Sequence, residues 1–131
     1  MTSRVSHTSV DCRNAYELSE WWRKVLGYGT VTDDPNEPEH DECMIVSPDD
    51  GHRILFLEVP EEKTIKNRIH LDLRPTDRTQ NEEVERLLAL GATAGEDFRG
   101  KYGPGTGWQI LLDPEGNEFC ILRPDAELVD S

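Results

Sequence analysis

Residues 108–122, WQILLDPEGNEFCIL, contain two short apolar runs on either side of the turn Asp113-Pro114-Glu115-Gly116-Asn117. A turn rich in proline, glycine and asparagine between two β-prone runs predicts a hairpin of two strands. A similar arrangement occurs earlier, where residues 43–47 and 53–59 are joined by the turn Ser47-Pro48-Asp49-Asp50-Gly51. The two hairpins indicate that one structural unit occurs twice in the chain.

The distance between corresponding landmarks in the two halves is nearly constant. His7 and His70 are 63 residues apart, Gly27 and Gly91 are 64 apart, and Pro48 and Pro114 are 66 apart. An offset that persists over three unrelated landmarks is typical of an internal repeat.

Each half also has a helix signal after its first predicted strand. Asn14 with Glu17, and Thr79 with Glu82, have the spacing of a helix-capping box, and a glycine follows each apolar helical stretch. Strands are predicted at residues 4–11, 28–32, 43–47, 53–59, 68–73, 93–96, 108–112 and 118–122. We therefore predict a single α+β domain of two βαβββ units, about residues 1–62 and 63–131. Their strands would form a curved eight-stranded mixed sheet with the helices outside, and the concave side is the natural place for a ligand.

Composition excludes several functions. The 131 residues suffice for one domain, and the formal charge of −13 disfavours nucleic acid and anionic membranes as partners. No apolar run approaches the roughly 20 residues of a membrane span, and the polar N-terminus lacks a signal peptide, so we predict a cytoplasmic protein. The three cysteines form no CxxC pair, which disfavours a disulfide framework or a structural zinc knuckle.

Several motifs together resemble the glyoxalase-like branch of the vicinal-oxygen-chelate superfamily, which includes bleomycin-resistance proteins. They are the opening His7-Thr8-Ser9-Val10-Asp11, the helix end Trp21-Trp22-Arg23-Lys24-Val25-Leu26-Gly27, the segment Lys66-Asn67-Arg68-Ile69-His70-Leu71-Asp72-Leu73, and the turn Asp113-Pro114-Glu115-Gly116-Asn117. The resemblance covers nearly the whole chain and implies the same two-unit fold.

The resemblance also implies where a metal would bind. In metal-using relatives, the first and last strands of the two units supply the ligands, and these positions fall on His7, His70, Phe56 and Cys120 of this chain. The last-strand positions are normally carboxylates, so half of the expected ligands differ. Glu58, two residues from Phe56, is a candidate third ligand. We therefore expect no cofactor, with a divalent metal at His7 and His70 as the alternative.

The predicted ligand-binding residues are His7, Phe56, His70, Asp72, Trp108 and Cys120. Strand alternation places His70 and Asp72 on one face, where the pair serves either proton transfer or structural bracing. Trp108 is the strongest candidate for a ligand contact. Lys66, Asn67 and Arg68 either bind an anionic ligand or cap strand ends.

Three functions remain open from the sequence. The first is binding of a small molecule in the cup without a complete metal site, as in a drug- or metabolite-sequestering protein. The second is a metal-dependent lyase, isomerase or dioxygenase using His7 and His70. The third is a metal-free enzyme that transfers protons through two His–Asp pairs, His70 with Asp72 and, by the same strand alternation, His7 with Asp11. The ligand, and the choice between a monomer and a domain-swapped homodimer, are not determined by the sequence.

Overall fold

The computed structural model describes residues 1–127 and divides the chain into two compact units, Met1–Glu62 and a second that begins at Lys63. Each unit has the element order βαβββ. The element order and the mixed strand pairing described below confirm the predicted fold class.

The first unit is a four-stranded sheet with one helix. Its elements are β1 (Thr8–Cys12), α1 (Ala15–Leu26), β2 (Gly29–Thr30), β3 (Glu42–Val46) and β4 (Arg53–Glu58). The strand order is β1-β4-β3-β2, with β1 parallel to β4 and the other pairs antiparallel.

The second unit repeats this arrangement. Its elements are β5 (Leu71–Leu73), α2 (Gln80–Leu90), β6 (Thr93–Asp97), β7 (Gln109–Leu112) and β8 (Glu118–Ile121), followed by a 3-10 turn at Asp125–Glu127. The strand order is β5-β8-β7-β6, and β5 is parallel to β8. The eight strands therefore pair as two four-stranded sheets, one in each unit.

The helices begin and end as the capping residues predict. The Asn14 side chain accepts a hydrogen bond from the Glu17 amide, and Thr79 and Glu82 form a reciprocal capping box at the start of α2. Gly27 and Gly91 follow the two helices in the left-handed conformation, with φ of 70° and 117°. These local signals determine the helix bounds because each is satisfied within a few residues of sequence.

In the first unit, α1 covers one face of the sheet. Cys43, Ile45, Ile54 and Phe56 are at most 1% exposed and share this face through the β3–β4 register. The Cys43 thiol interacts with the Ser19 hydroxyl of α1. The alternate residues of β4, Leu55 and Leu57, point to the opposite face.

In the second unit, the corresponding core lies along α2 and β8. The core includes four side chains that are at most 1% exposed: Leu87, Leu111, Phe119 and Ile121. The amide of Gln80, at the first turn of α2, donates a hydrogen bond to the Ile121 carbonyl over 2.9 Å. The opposite face of this sheet carries Asp72, Ile110 and Cys120, which are aligned by register.

Neither helix within residues 1–127 has the length and apolar character that a membrane crossing requires.

Candidate functional site

A cavity of about 360 Å³ lies on the open face of the second unit's sheet. All of its lining residues belong to that unit: Lys66, His70, Asp72, Phe98, Trp108, Ile110, Glu118, Cys120 and Leu122. The strand pattern explains this composition, because Ile110 and Cys120 face the same side as Asp72 across paired strands. Four of the six ligand-binding residues predicted above, His70, Asp72, Trp108 and Cys120, lie together here.

Three of these lining residues form a compact polar cluster. His70 Nδ1 and Asp72 Oδ1 are 3.3 Å apart, and Asp72 lies directly across from Cys120 in the β5–β8 register. One ligand-type atom from each of the three side chains lies within 4.8 Å of the others. Within residues 1–127 this is the one group of three or more such side chains close enough to share an ion.

The Cys120 thiol is held in its protonated form. Burial raises the pKa of Cys120, and the negative charge of Asp72 and its hydrogen bond with the thiol raise the pKa further, to about 11, against a small opposing effect of Lys66. A thiol with this pKa is not a nucleophile at neutral pH, because the thiolate is the reactive form. The cluster therefore supplies hydrogen bonds and ligand atoms rather than an activated sulfur.

Aromatic rings form one wall of the cavity. The Phe98 and Trp108 ring centroids are 5.0 Å apart, and the exposed Tyr102 stacks against Trp108 at 6.1 Å. The Lys101 ammonium lies 4.6 Å from the centre of the Phe98 ring. Of these rings, those of Phe98 and Trp108 line the cavity and present a flat apolar surface to a bound molecule.

A glycine-rich loop, residues 100–107, positions this wall. The Phe98 amide donates to the Trp108 carbonyl over 2.8 Å, and the Gly100 amide donates to the Thr106 carbonyl over 2.7 Å. Gly107 has φ of +88°, and a Cβ placed there would lie 2.0 Å from the Phe98 carbonyl oxygen. Only glycine allows the chain to pass this closely behind Phe98 before it enters β7.

Lys66 reaches the cavity from a segment that Glu118 anchors. The Glu118 carboxylate accepts hydrogen bonds from the Lys63 ammonium at 2.8 Å and from the Asn67 amide at 3.0 Å. Asn67 also donates to the Asn117 side chain at 2.9 Å. Burial raises the pKa of the Glu118 carboxyl, but the bonds from Lys63 and Asn67 outweigh it, so the pKa lies below the usual value. Asn67 thus serves the segment's structure, and Arg68 is not among the lining residues.

Three predicted residues, His7, Phe56 and Glu58, lie in the first unit, in positions that differ from those expected. His7 immediately precedes β1, just as His70 immediately precedes β5. Both had been predicted to lie inside the first strand of their unit. Glu58 accepts a hydrogen bond from the Ala15 amide over 3.0 Å, and this carboxylate therefore caps α1.

The prediction that Phe56 contacts the ligand has to be corrected. It is 1% exposed on the face that α1 covers, whereas Cys120 faces the cavity of its own unit. The registers explain the difference: Asp72 pairs with Cys120, and its counterpart Ser9 pairs with Leu55. The position equivalent to Cys120 is therefore Leu55, and a shift of one residue places Phe56 on the opposite face.

Four lining residues were not predicted, namely Phe98, Ile110, Glu118 and Leu122, whereas Lys66 was already a candidate for binding an anionic ligand. Three of them follow from strand alternation, since Ile110 lies two residues after Trp108, and Glu118 and Leu122 flank Cys120 at the same spacing. Phe98 precedes the glycine-rich loop and has no comparable signal.

Comparisons with known proteins identify the family. The sequence profile of the glyoxalase-like domain matches residues 7–122. A comparison with curated protein sequences gives no match. Among solved structures, a glyoxalase/bleomycin resistance protein/dioxygenase family enzyme from Burkholderia phytofirmans PsJN is similar, with a TM-score of 0.64 and 20% identity over 88% of this chain and 94% of that one.

Two fosfomycin resistance proteins named FosX are also similar. A single-residue variant from Listeria monocytogenes, in complex with Mn(II) and 1S,2S-dihydroxypropylphosphonic acid, has a TM-score of 0.67 and 14% identity over 97% of this chain and 94% of that one. FosX from Mesorhizobium loti has a TM-score of 0.65 and 14% identity over 93% and 92%. At these identities the structural likeness shows a shared fold. Because the family profile spans nearly the whole sequence, the chain belongs to the glyoxalase-like domain family, and it shares its fold with the glyoxalase/bleomycin resistance protein/dioxygenase family enzyme named above.

Proposed function

We propose that the chain binds a small, largely apolar molecule in the cavity of its second unit. The observation that carries this proposal is the combination of an aromatic and aliphatic wall with a compact polar cluster in one cavity. Phe98, Trp108, Ile110 and Leu122 supply the wall, and His70 and Asp72 supply hydrogen-bonding atoms. Cavities of this size with few, localised polar groups are typical of small-molecule sites.

The charges around the cavity favour an uncharged ligand. The Glu118 carboxylate is neutralised by Lys63, and the Asp72 carboxylate contacts His70 and the Cys120 thiol. An anion would meet the Asp72 charge inside a chain of net charge −13, with Lys66 as the opposing cation. A neutral aromatic molecule with one hydrogen-bonding group avoids this repulsion and uses the wall fully.

The alternative, an enzyme with a family-type metal, has weaker support in the second unit. The FosX complex mentioned above contains Mn(II), and Mn²⁺ prefers oxygen ligands in octahedral geometry. The cluster of His70, Asp72 and Cys120 offers one nitrogen, one carboxylate and one sulfur. This donor set does not fit Mn²⁺, so we derive no reaction step through such an ion.

A pair of fluorescent probes tests the proposal. N-phenyl-1-naphthylamine is neutral, and 8-anilinonaphthalene-1-sulfonate adds a sulfonate to the same rings. We expect the neutral probe to bind more tightly. Its site can be located by ¹⁵N NMR of the three tryptophan indoles, with the Trp108 signal assigned from Trp108→Phe. The Trp108 resonance should shift, while those of Trp21 and Trp22, both buried in the first unit, should not.

Substitution provides the quantitative test. Trp108→Ala should weaken binding of the neutral probe by about 1–3 kcal/mol. Tyr102→Ala is the matched control, because Tyr102 stacks on Trp108 but does not line the cavity, and it should have a smaller effect. If the probe binds Trp108→Ala as well as wild type, or shifts only the other indoles, the cavity is not the binding site.

A further inference from the structure

We infer that His70, Asp72 and Cys120 form a binding site for a borderline or thiophilic divalent ion such as Zn²⁺. This inference rests on the proposed function because the three side chains line the same cavity. It differs from the metal site that family resemblance implies, because it adds Asp72, takes all its ligands from one unit and selects a softer ion.

The choice of ion follows from the three donor types. Imidazole suits zinc and copper, and thiolate selects soft or borderline ions over Mn²⁺ and Mg²⁺. A carboxylate is an accepted third ligand of zinc. One histidine, one aspartate and one cysteine therefore form a set that binds Zn²⁺, Co²⁺ or Cd²⁺ in preference to Mn²⁺.

The spacing of the donors supports this assignment. Zinc lies about 2.0–2.3 Å from nitrogen, oxygen and sulfur ligands, so neighbouring donors on one ion are roughly 3–4 Å apart. In this structure the three donor atoms lie within 4.8 Å of one another, and His70 Nδ1 is 3.3 Å from Asp72 Oδ1. The three side chains therefore need to move only slightly toward one another to bind one ion.

The side chains differ in their freedom to make that movement. Those of His70 and Asp72 are 36% and 49% exposed, whereas Cys120 is 6% exposed and set by its place in β8. The buried sulfur therefore provides a fixed point, to which the two exposed ligands can adjust. On binding, the Cys120 S–H bond breaks, its proton goes to solvent, and the sulfur electron pair bonds to the ion.

With three protein ligands, a zinc ion would have a fourth coordination position available. Zinc sites of this kind hold water or a ligand atom in the fourth position. The polar group of the proposed small molecule would occupy it, with the apolar part against Trp108. The ion would then select molecules that carry a nitrogen, oxygen or sulfur donor at one end.

Cobalt titration of the reduced protein, without any organic ligand, tests the site. We expect one equivalent of Co²⁺ to produce a near-ultraviolet sulfur-to-cobalt charge-transfer band. Zn²⁺ should abolish the band by displacement, and Mn²⁺ at the same concentration should leave it unchanged. Cys120→Ser should lose the band, whereas Cys12→Ser, which alters a buried thiol of the first unit, should retain it.

Two further variants protect the test against misfolding of Cys120→Ser. His70→Gln and Asp72→Asn change exposed side chains, and each should weaken Co²⁺ binding by roughly tenfold or more. Absence of the band in wild type, or a band of equal strength and affinity in Cys120→Ser and His70→Gln, would overturn the inference. Neither result bears on binding of the naphthylamine probe, which is measured in metal-free buffer, so this inference and the proposed function can fail separately.

Discussion

Asp72 and Cys120 lie directly opposite each other on the parallel strands β5 and β8, and the Cys120 thiol is hydrogen-bonded to the Asp72 carboxylate. Burial and the adjacent negative charge both disfavour the thiolate, which explains the pKa of about 11. Asp72 therefore adds to the effect of burial in suppressing the reactivity of this cysteine.

Alkylation by iodoacetamide should show that control. Because the pKa of Cys120 is raised, its thiolate is scarce at pH 8, and the rate should increase about tenfold for each pH unit up to about 11. Asp72→Asn removes the negative charge, lowers this pKa and should accelerate alkylation at pH 8–9. Peptide mass spectrometry gives the rate for each cysteine.

Cys43 is the internal control for this experiment. Its pKa is also raised, by burial first, but Asp72 is not among the groups that act on it. Its alkylation rate should be the same in wild type and Asp72→Asn. Equal Cys120 rates in the two proteins would contradict the assigned role of Asp72.

Phe56 and Leu55 should respond differently to truncation. Phe56 is 1% exposed on the α1-covered face, so Phe56→Ala should reduce the free energy of unfolding by about 3–5 kcal/mol. Leu55 is partly exposed on the other face, and Leu55→Ala should cost only about 1–2 kcal/mol. Urea denaturation measures both free energies of unfolding. A larger loss for Leu55→Ala than for Phe56→Ala would indicate that Phe56 lies on the open face.

Gly107→Ala should destabilise the loop and the cavity wall together. The new Cβ would meet the Phe98 carbonyl in a backbone conformation that L-residues rarely adopt, so we expect a loss of about 2–3 kcal/mol. Gly105→Ala is the matched control: its φ is +75°, but the nearest atom to its Cβ is a flexible Arg123 nitrogen at 3.6 Å. A loss of about 1 kcal/mol is expected there. Equal losses in urea denaturation would show that the close approach at Phe98 is unimportant.

Glu118→Gln should release the segment that carries Lys66. The variant keeps the side-chain shape but loses the charge and one of the two acceptor oxygens used by Lys63 and Asn67. Hydrogen exchange at the Asn67 amide should become about three- to tenfold faster. Glu96→Gln, at an exposed position on β6, should leave this rate unchanged.

The same contact should depend on pH in a defined direction. The folded-state pKa of Glu118 is lower than usual, so its stabilising contribution is present above the ordinary carboxyl pKa and is lost as the pH falls through the folded value. Protection of Asn67 should therefore decrease below about pH 4. Unchanged protection at low pH would show that the carboxylate does not hold the segment.

The helices and the repeat were predictable because their signals are local. Asn14, Thr79 with Glu82, and the two terminal glycines act on residues within one turn, so their sequence spacing is sufficient. Asp72 was recognised for a similar reason, since alternation from His70 predicts its face, whereas Trp108 was chosen for its aromatic ring.

The strand register of the first unit was not predictable in the same way. Register depends on which residues pair across strands, and an insertion of one residue in a connecting turn changes it without altering any local pattern. The repeat offset varies between landmarks, and the interpretation that matched Phe56 to Cys120 used the wrong value within that variation. The close approach of Gly107 to Phe98 is likewise a tertiary contact, for which the sequence shows only a glycine.

The protonated, hydrogen-bonded thiol of Cys120 also provides the protein with a vibrational reporter. The S–H stretch absorbs in an infrared window where water, backbone and other side chains absorb weakly, and its frequency falls as the hydrogen bond strengthens. A molecule that takes the Asp72 carboxylate from Cys120 would shift this band upward, and an ion that takes the sulfur would abolish it. The thiols of Cys12 and Cys43, which lie on the α1-covered face of the first unit, supply constant reference bands in the same spectrum.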